Sequence, residues 1–79
     1  MNEERVNKFA KKIAKVLKVE PSDIISTAGN SQYISISKIA DILEERGQYS
    51  YIDNVCLADC LQKHYKRVNY LLDSYWRHI

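Results

Sequence analysis

Apolar residues recur every three or four positions in the first part of the chain, which is the spacing of an amphipathic helix. They are Val6, Phe9, Ala10, Ile13, Ala14 and Leu17. This pattern predicts a helix from about Asn2 to Lys18, and asparagine is a residue type that caps helix N-termini. The outer face of the predicted helix is basic and consists of Arg5, Lys8, Lys11, Lys12, Lys15 and Lys18.

A second, shorter helix is predicted next, and a loop follows it. Pro21 suits the first turn of this helix, which ends near Ser26. Residues 27–31, with the sequence TAGNS, form the clearest loop of the chain. The segment Tyr33–Ile36 is β-branched enough to suit a strand. Because a single strand has no partner, we interpret this segment as the start of the next helix.

Three further helices complete the predicted fold. The first runs from about Ser35 to Arg46 and stops at Gly47, the usual position for a glycine at a helix C-terminus. The second runs from Tyr51 to about Gln62, and the last begins near Tyr65. The last helix buries Val68, Leu71, Leu72 and Tyr75. We therefore expect a single all-α domain over residues 1–79, a compact bundle of about five helices.

The last two predicted helices fit a helix-turn-helix at about residues 51–78. Two helices that cross steeply need a small residue at their closest approach, and Ala58 meets that need. Leu57 and Leu61 then lie on the inner face of the first helix, where the apolar residues of the final helix pack against them. The sequence therefore predicts that the segment after His64 is an accessible helix.

In this register, the final helix would project polar and aromatic side chains towards the major groove of double-stranded DNA. The candidate DNA-binding residues are His64, Tyr65, Lys66, Arg67, Asn69, Tyr70, Lys63 and Lys38. Lys66 can meet guanine acceptors and Asn69 can pair with adenine through two hydrogen bonds, whereas Lys38 and Lys63 would bind phosphates. The alternative is that residues 63–67 (KHYKR) are only the solvated start of an exposed helix.

Three segments carry a family resemblance. Residues 11–26 (KKIAKVLKVEPSDIIS) match the family's opening, residues 37–43 (SKIADIL) match its middle at the same distance from Asp23, and His64 stands near the family's histidine. In these segments the chain resembles the C-terminal DNA-binding domain of the bacterial replication initiator DnaA and its TrpR-like relatives. The resemblance implies a helical fold with a helix-turn-helix. It also implies a non-enzymatic accessory or regulatory protein of replication or transcription.

The chain departs from this family at the positions that would contact DNA. Residues 27–32, which correspond to the family's basic loop, contain no cation, and Ser37 replaces an arginine. This departure supports a second hypothesis, in which the chain is a protein-interaction module or a small inhibitor that has lost DNA binding. Its candidate interface is Tyr70, Trp76 and Ile79, which would bind a protein partner or a second copy of the chain.

Charge is distributed unevenly along the chain, although the net charge is only +2. Residues 1–20 contain six basic and three acidic residues, and residues 62–79 contain four basic and one acidic. The segment between them, residues 21–61, contains two basic and six acidic residues. Two basic ends therefore flank an acidic middle, which favours an anionic partner modestly.

The sequence disfavours metal, cofactor and enzyme functions. Cys56, Cys60 and His64 follow one another at four-residue steps, but a zinc site needs four ligands, and no second pair accompanies them. A glycine-rich phosphate loop and an activated nucleophile are both missing. No apolar run is long enough to cross a bilayer, and the free cysteines suit the cytoplasm.

Overall fold

The computed structural model describes residues 2–77. The capping role predicted for the Asn2 side chain and the interface role predicted for Ile79 both lie outside what it describes. In chain order the elements are α1 (Asn2–Leu17), a 3₁₀ turn (Pro21–Ile24), β1 (Ile25–Ala28), β2 (Ser31–Ile34), α2 (Ile36–Glu45), α3 (Leu57–His64) and α4 (Lys66–Arg77).

Helix α1 forms one side of the hydrophobic core, as its sequence pattern predicts. Its fully buried residues are Val6, Ala10, Ile13, Ala14 and Leu17. This face packs against α4, the 3₁₀ turn and β2. At the start of α1, the guanidinium of Arg5 donates a hydrogen bond to the carbonyl of Tyr75, and the rings of Phe9 and Tyr75 meet edge to face at 5.6 Å. The beginning of α1 therefore lies beside the end of α4.

A lysine ends α1 in an unfavourable backbone conformation. Lys18 has a φ of 60°, in the left-handed region that glycine adopts most readily. The backbone N–H of Val19 donates to the carbonyl of Ala14 at 3.0 Å and closes the last turn. This arrangement is a Schellman-type helix end, in which glycine is the preferred residue at the left-handed position.

We predict that Lys18→Gly raises the free energy of unfolding by about 0.5–1 kcal/mol. Glycine removes a steric cost of about 1–2 kcal/mol, and its greater freedom in the unfolded chain offsets part of that gain. Urea denaturation followed by circular dichroism measures the change. The control is Lys15→Gly, within α1, which is expected to destabilise by about 1 kcal/mol. Equal destabilisation by the two variants would contradict the prediction.

The all-α prediction is wrong, because residues 25–34 form an antiparallel β-hairpin. The register pairs Ile25 with Ile34 and Ala28 with Ser31. The turn between the strands is Gly29–Asn30, and Gly29 has a φ of +63°. A glycine at the first of two turn residues is typical of a type II′ hairpin, whose twist matches that of the strands. Strand β2, which overlaps the segment expected to have no partner strand, thus pairs with β1. The residues of β1 were expected to form the end of a helix and a loop.

Helix α2 agrees with its prediction to within one residue at each end. The backbone N–H of Lys38 donates to the side-chain oxygen of Ser35, which caps the helix N-terminus. At the other end Gly47 has a φ of +73°, and the next residue, Gln48, donates from its N–H to the carbonyl of Leu43 at 2.9 Å. Gly47 therefore ends α2 as predicted, and the side chain of Ser35 caps its start.

The predicted helix over Tyr51–Gln62 is also wrong in its first half, since α3 begins only at Leu57. Residues 51–56 form turns and extended backbone. Asn54 has a φ of 56°, and Ile52 is 88% exposed. This segment consists of tyrosine, isoleucine, aspartate, asparagine, valine and cysteine, all weak helix formers. Without a burial site for its apolar residues, nothing compensates for that weakness.

Four residues of α4, namely Val68, Leu71, Leu72 and Tyr75, are buried, which confirms the inner face predicted for the final helix. They join one cluster with the buried residues of α1, α2 and α3. None of the helices between residues 2 and 77 is both long and apolar enough to cross a membrane.

Candidate nucleic-acid interface

Helices α3 and α4 meet at a joint of one residue, Tyr65. Its backbone has φ −146° and ψ 68°, outside the helical region, and its N–H donates to the carbonyl of Leu61 at 2.6 Å. The predicted break between two helices is therefore present, but α3 ends at His64 instead of near Gln62. Ala58 is exposed and lines the cleft between the two helices, so it does not form a buried contact between them.

The start of α4 presents an exposed cationic and aromatic surface. Lys66 and Arg67 are exposed, and Tyr70 is 60% exposed. The guanidinium carbon of Arg67 lies 5.2 Å from the centre of the Tyr70 ring, which holds these two side chains against each other. Lys63 and His64 end the preceding helix and are exposed as well. These five residues form what we call the corner surface.

The other two predicted base contacts lie away from the corner surface. Asn69 is half-buried and lines the cleft between α3 and α4. Tyr65 is also half-buried and packs against the core, and its hydroxyl accepts a hydrogen bond of 3.0 Å from the guanidinium of Arg46. Tyr65 therefore has a structural role in the joint. Asn69 faces the cleft and not the side of α4 on which Lys66 and Tyr70 lie.

Lys38 lies apart from the other predicted phosphate contacts. Its ammonium group donates to the carbonyl of Ile25 at 2.7 Å. It lines an open cleft of about 780 Å³, which also contains the carboxylates of Asp23, Asp41 and Glu45. Arg46 also lines this cleft, so three carboxylates face two cations there and leave no excess of positive charge for a phosphate.

Arg46 connects the joint at Tyr65 to the ends of two other helices. No local sequence pattern indicates this role. It caps the C-terminus of α2, and its guanidinium donates both to the hydroxyl of Tyr65 and to the carbonyl of Leu17, the last residue of α1. The planar fork of an arginine can bind two acceptors at once in this way. The ends of α1, α2 and α3 therefore converge at one side chain.

Among residues 2–77, no acidic side chain forms an ion pair with the cations of the corner surface. Within the part of the chain that the structure describes, the one ion pair joins Arg77 to Asp73 at 3.1 Å, and both side chains are exposed. Lys63, Lys66 and Arg67 form no such pair. Their charges are consequently available to an external anion.

The cleft between α3 and α4 is the most apolar concavity near the corner. It has a volume of about 270 Å³, and its apolar lining includes Leu57, Leu72 and Trp76. Trp76, predicted as part of a protein interface, is 46% exposed at the edge of this cleft. Asn69 and Asp73 are the polar residues of its lining.

The two cysteines occupy different environments and form no disulfide. Cys56 is exposed and precedes α3, whereas Cys60 is buried and its thiol donates a hydrogen bond to the carbonyl of Gln48 at 3.0 Å. Burial raises the pKa of the Cys60 thiol, and the positive charge of Lys63 offsets part of that rise. Among residues 2–77, no three side chains of metal-ligand type come together.

Comparisons of the chain with protein-family models, with curated proteins and with solved structures find no significant match. The resemblance to the DnaA domain therefore stays a prediction from the sequence.

Proposed function

We propose that this chain is a non-enzymatic, cytoplasmic DNA-binding domain of an accessory or regulatory protein, and that its corner surface contacts double-stranded DNA. The observation that carries the proposal is the exposed cationic start of α4. It follows directly after the break at Tyr65, and its charges have no acidic partners among the described residues. Two free thiols are in keeping with a reducing compartment.

The residue types of the corner surface suit the backbone of a duplex. Lys63, Lys66 and Arg67 can each neutralise a phosphate, and Tyr70 can donate a hydrogen bond to a phosphate oxygen or pack on a thymine methyl group. Because Asn69 faces the cleft, the surface offers few groups that read bases. We therefore expect binding with weak sequence preference, with a Kd of about 10⁻⁴ to 10⁻⁶ M at physiological salt.

The experiment is a fluorescence-anisotropy titration of a 20-base-pair duplex of random sequence at several salt concentrations. Lys66→Gln combined with Arg67→Gln is expected to weaken binding about tenfold and to reduce the slope of log K against log salt by about 1.8, since each lost phosphate contact accounts for about 0.9. Glutamine keeps a similar helix propensity, so the loss of charge is isolated.

The matched control is Lys8→Gln combined with Lys11→Gln, which removes the same charge from the outer face of α1. It is expected to leave the slope nearly unchanged. If the wild-type chain shows no binding at about 50 mM salt and tens of micromolar protein, the proposal is wrong.

A second candidate function, a protein-interaction module, is favoured by the apolar cleft beside the exposed Trp76. Tryptophan is enriched among residues that dominate protein interfaces. Under this function, Trp76→Ala would abolish binding of a partner or self-association, whereas the Lys66 and Arg67 variant would leave it intact. Sedimentation velocity of the wild-type chain and of Trp76→Ala tests the homodimer form of this candidate.

A further inference from the structure

Helix α1 carries the largest set of unpaired cations in the described structure. Four exposed lysines lie on its outer face and a fifth, also exposed, directly follows its last residue: Lys8, Lys11, Lys12, Lys15 and Lys18. None of them forms an ion pair within residues 2–77. A helix needs some surface charge for solvation, but these five cations outnumber the carboxylates of α1, Glu3 and Glu4 in its first turn, and form a surface that attracts polyanions.

Only the C-terminal part of this lysine face lies close to the corner surface. The guanidinium of Arg46 contacts both the carbonyl of Leu17 and the hydroxyl of Tyr65, so the end of α1 and the joint lie within reach of one side chain. The beginning of α1 lies at the far end of α4, where Arg5 contacts Tyr75. The last turn of α1 therefore lies next to the corner surface, and the first turns of α1 do not.

We propose that Lys15 and Lys18 extend the DNA interface by binding phosphates of the same duplex that the corner surface contacts. This inference rests on the proposed function. It adds two cations from α1 to the three from α3 and α4, so that one surface built from the ends of three helices follows the DNA backbone. The cleft that contains Asp23, Asp41 and Glu45 marks the edge of this surface.

The backbone at Lys18 supports a role for its charge. A lysine occupies the left-handed position at which glycine would be more stable, so its side chain is present at a local conformational cost. Residues that cost stability in this way are often functional. The alternative is that Lys15 and Lys18 merely compensate the negative end of the α1 dipole, which would affect stability and not binding.

The test compares two variants that remove the same charge from the same helix. Lys15→Gln with Lys18→Gln is expected to reduce the slope of log K against log salt by about 1.8 and to weaken duplex binding about tenfold. Lys8→Gln with Lys11→Gln is expected to change the slope by less than about 0.5. The two pairs are separated by about 10 Å of helix, roughly one Debye length at 0.1 M salt.

Lys18→Gly provides a second readout, because the two roles of the residue have opposite signs. It is expected to raise the urea midpoint and at the same time to reduce the salt slope by about 0.9. A more stable protein that binds DNA less strongly would not arise from a purely structural lysine.

The inference is overturned if the Lys15 and Lys18 variant keeps the wild-type slope, or if both double variants reduce it equally, since the lysines would then act only through net charge. Either result leaves the proposed function standing, provided that the Lys66 and Arg67 variant loses binding. Absence of DNA binding by the wild-type chain would instead reject both.

Discussion

A thiol reagent such as 5,5′-dithiobis(2-nitrobenzoate) is expected to modify Cys56 rapidly and Cys60 about a hundred to a thousand times more slowly. Cys60 is only 3% exposed and its thiol donates to the carbonyl of Gln48, so the reagent reaches it only after α3 opens. This ratio of rates corresponds to an opening free energy of about 3–4 kcal/mol. That free energy lies at or below the free energy of unfolding expected for a chain of this length.

The raised pKa of Cys60 adds a pH dependence with a defined sign. Because burial holds the folded-state pKa above its unfolded value, the neutral thiol stabilises the fold fully below the unfolded pKa. This stability is lost as the pH rises through the folded pKa, so protection of Cys60 should decrease at alkaline pH.

The measurement is the absorbance of the released thiolate with time, for the wild-type chain and for Cys56→Ser. The serine variant should lose the fast phase and keep the slow one, and urea above the unfolding midpoint should make the two phases equal. A single fast phase for both thiols would show that Cys60 is accessible and that α3 does not pack as described.

Ile13→Ala is expected to lower the free energy of unfolding by about 2–5 kcal/mol. Ile13 is fully buried on α1, the helix that contacts α4, the 3₁₀ turn and β2. A 79-residue domain has a total stability of about 4–12 kcal/mol, so this change removes a large fraction of the free energy of unfolding. The remaining side chains relax only in part around the space that three missing carbon atoms leave.

Urea denaturation followed by far-ultraviolet circular dichroism measures this loss. The matched control is Lys11→Ala on the exposed face of the same helix, which should change stability by less than about 0.5 kcal/mol. Similar midpoints for the two variants would mean that the face of α1 containing Ile13 is not the core.

Helical periodicity predicted α1, α2 and the inner face of α4 because each has an apolar stripe that is buried. The ends of α2 were equally predictable, since Ser35 caps one end and Gly47 follows the other. These signals are local, because the residue type at each helix end favours the backbone conformation found at that position.

One local signal in the sequence indicates the hairpin. Gly29–Asn30 lies between two short segments with β-branched residues, and a two-residue turn of this type is a known hairpin signal. Pro21 suits the first turn of a helix, and it therefore favoured a helix that continues to Ser26 instead of a strand. The start of α3 does not follow from the apolar pattern, because Ile52 and Val55 have helical spacing and yet both are exposed.

The candidate site was predicted only in part. Lys66, Arg67 and Tyr70 could be placed on an exposed face because the buried stripe of α4 leaves them outside. The roles of Arg46 and Lys18 could not be predicted, because they depend on helix ends that are distant in sequence and meet only in the folded chain.

The one-residue joint at Tyr65 makes the register of α4 sensitive to chain length. Inserting a single residue after Tyr65 would rotate every side chain of α4 by about 100° relative to α3. Val68 and Leu71 would leave the core, and the positive charges of Lys66 and Arg67 would turn with them. Natural length variation should therefore fall in residues 48–56 or in the hairpin turn, and α3 and α4 should be inherited as one unit of constant length.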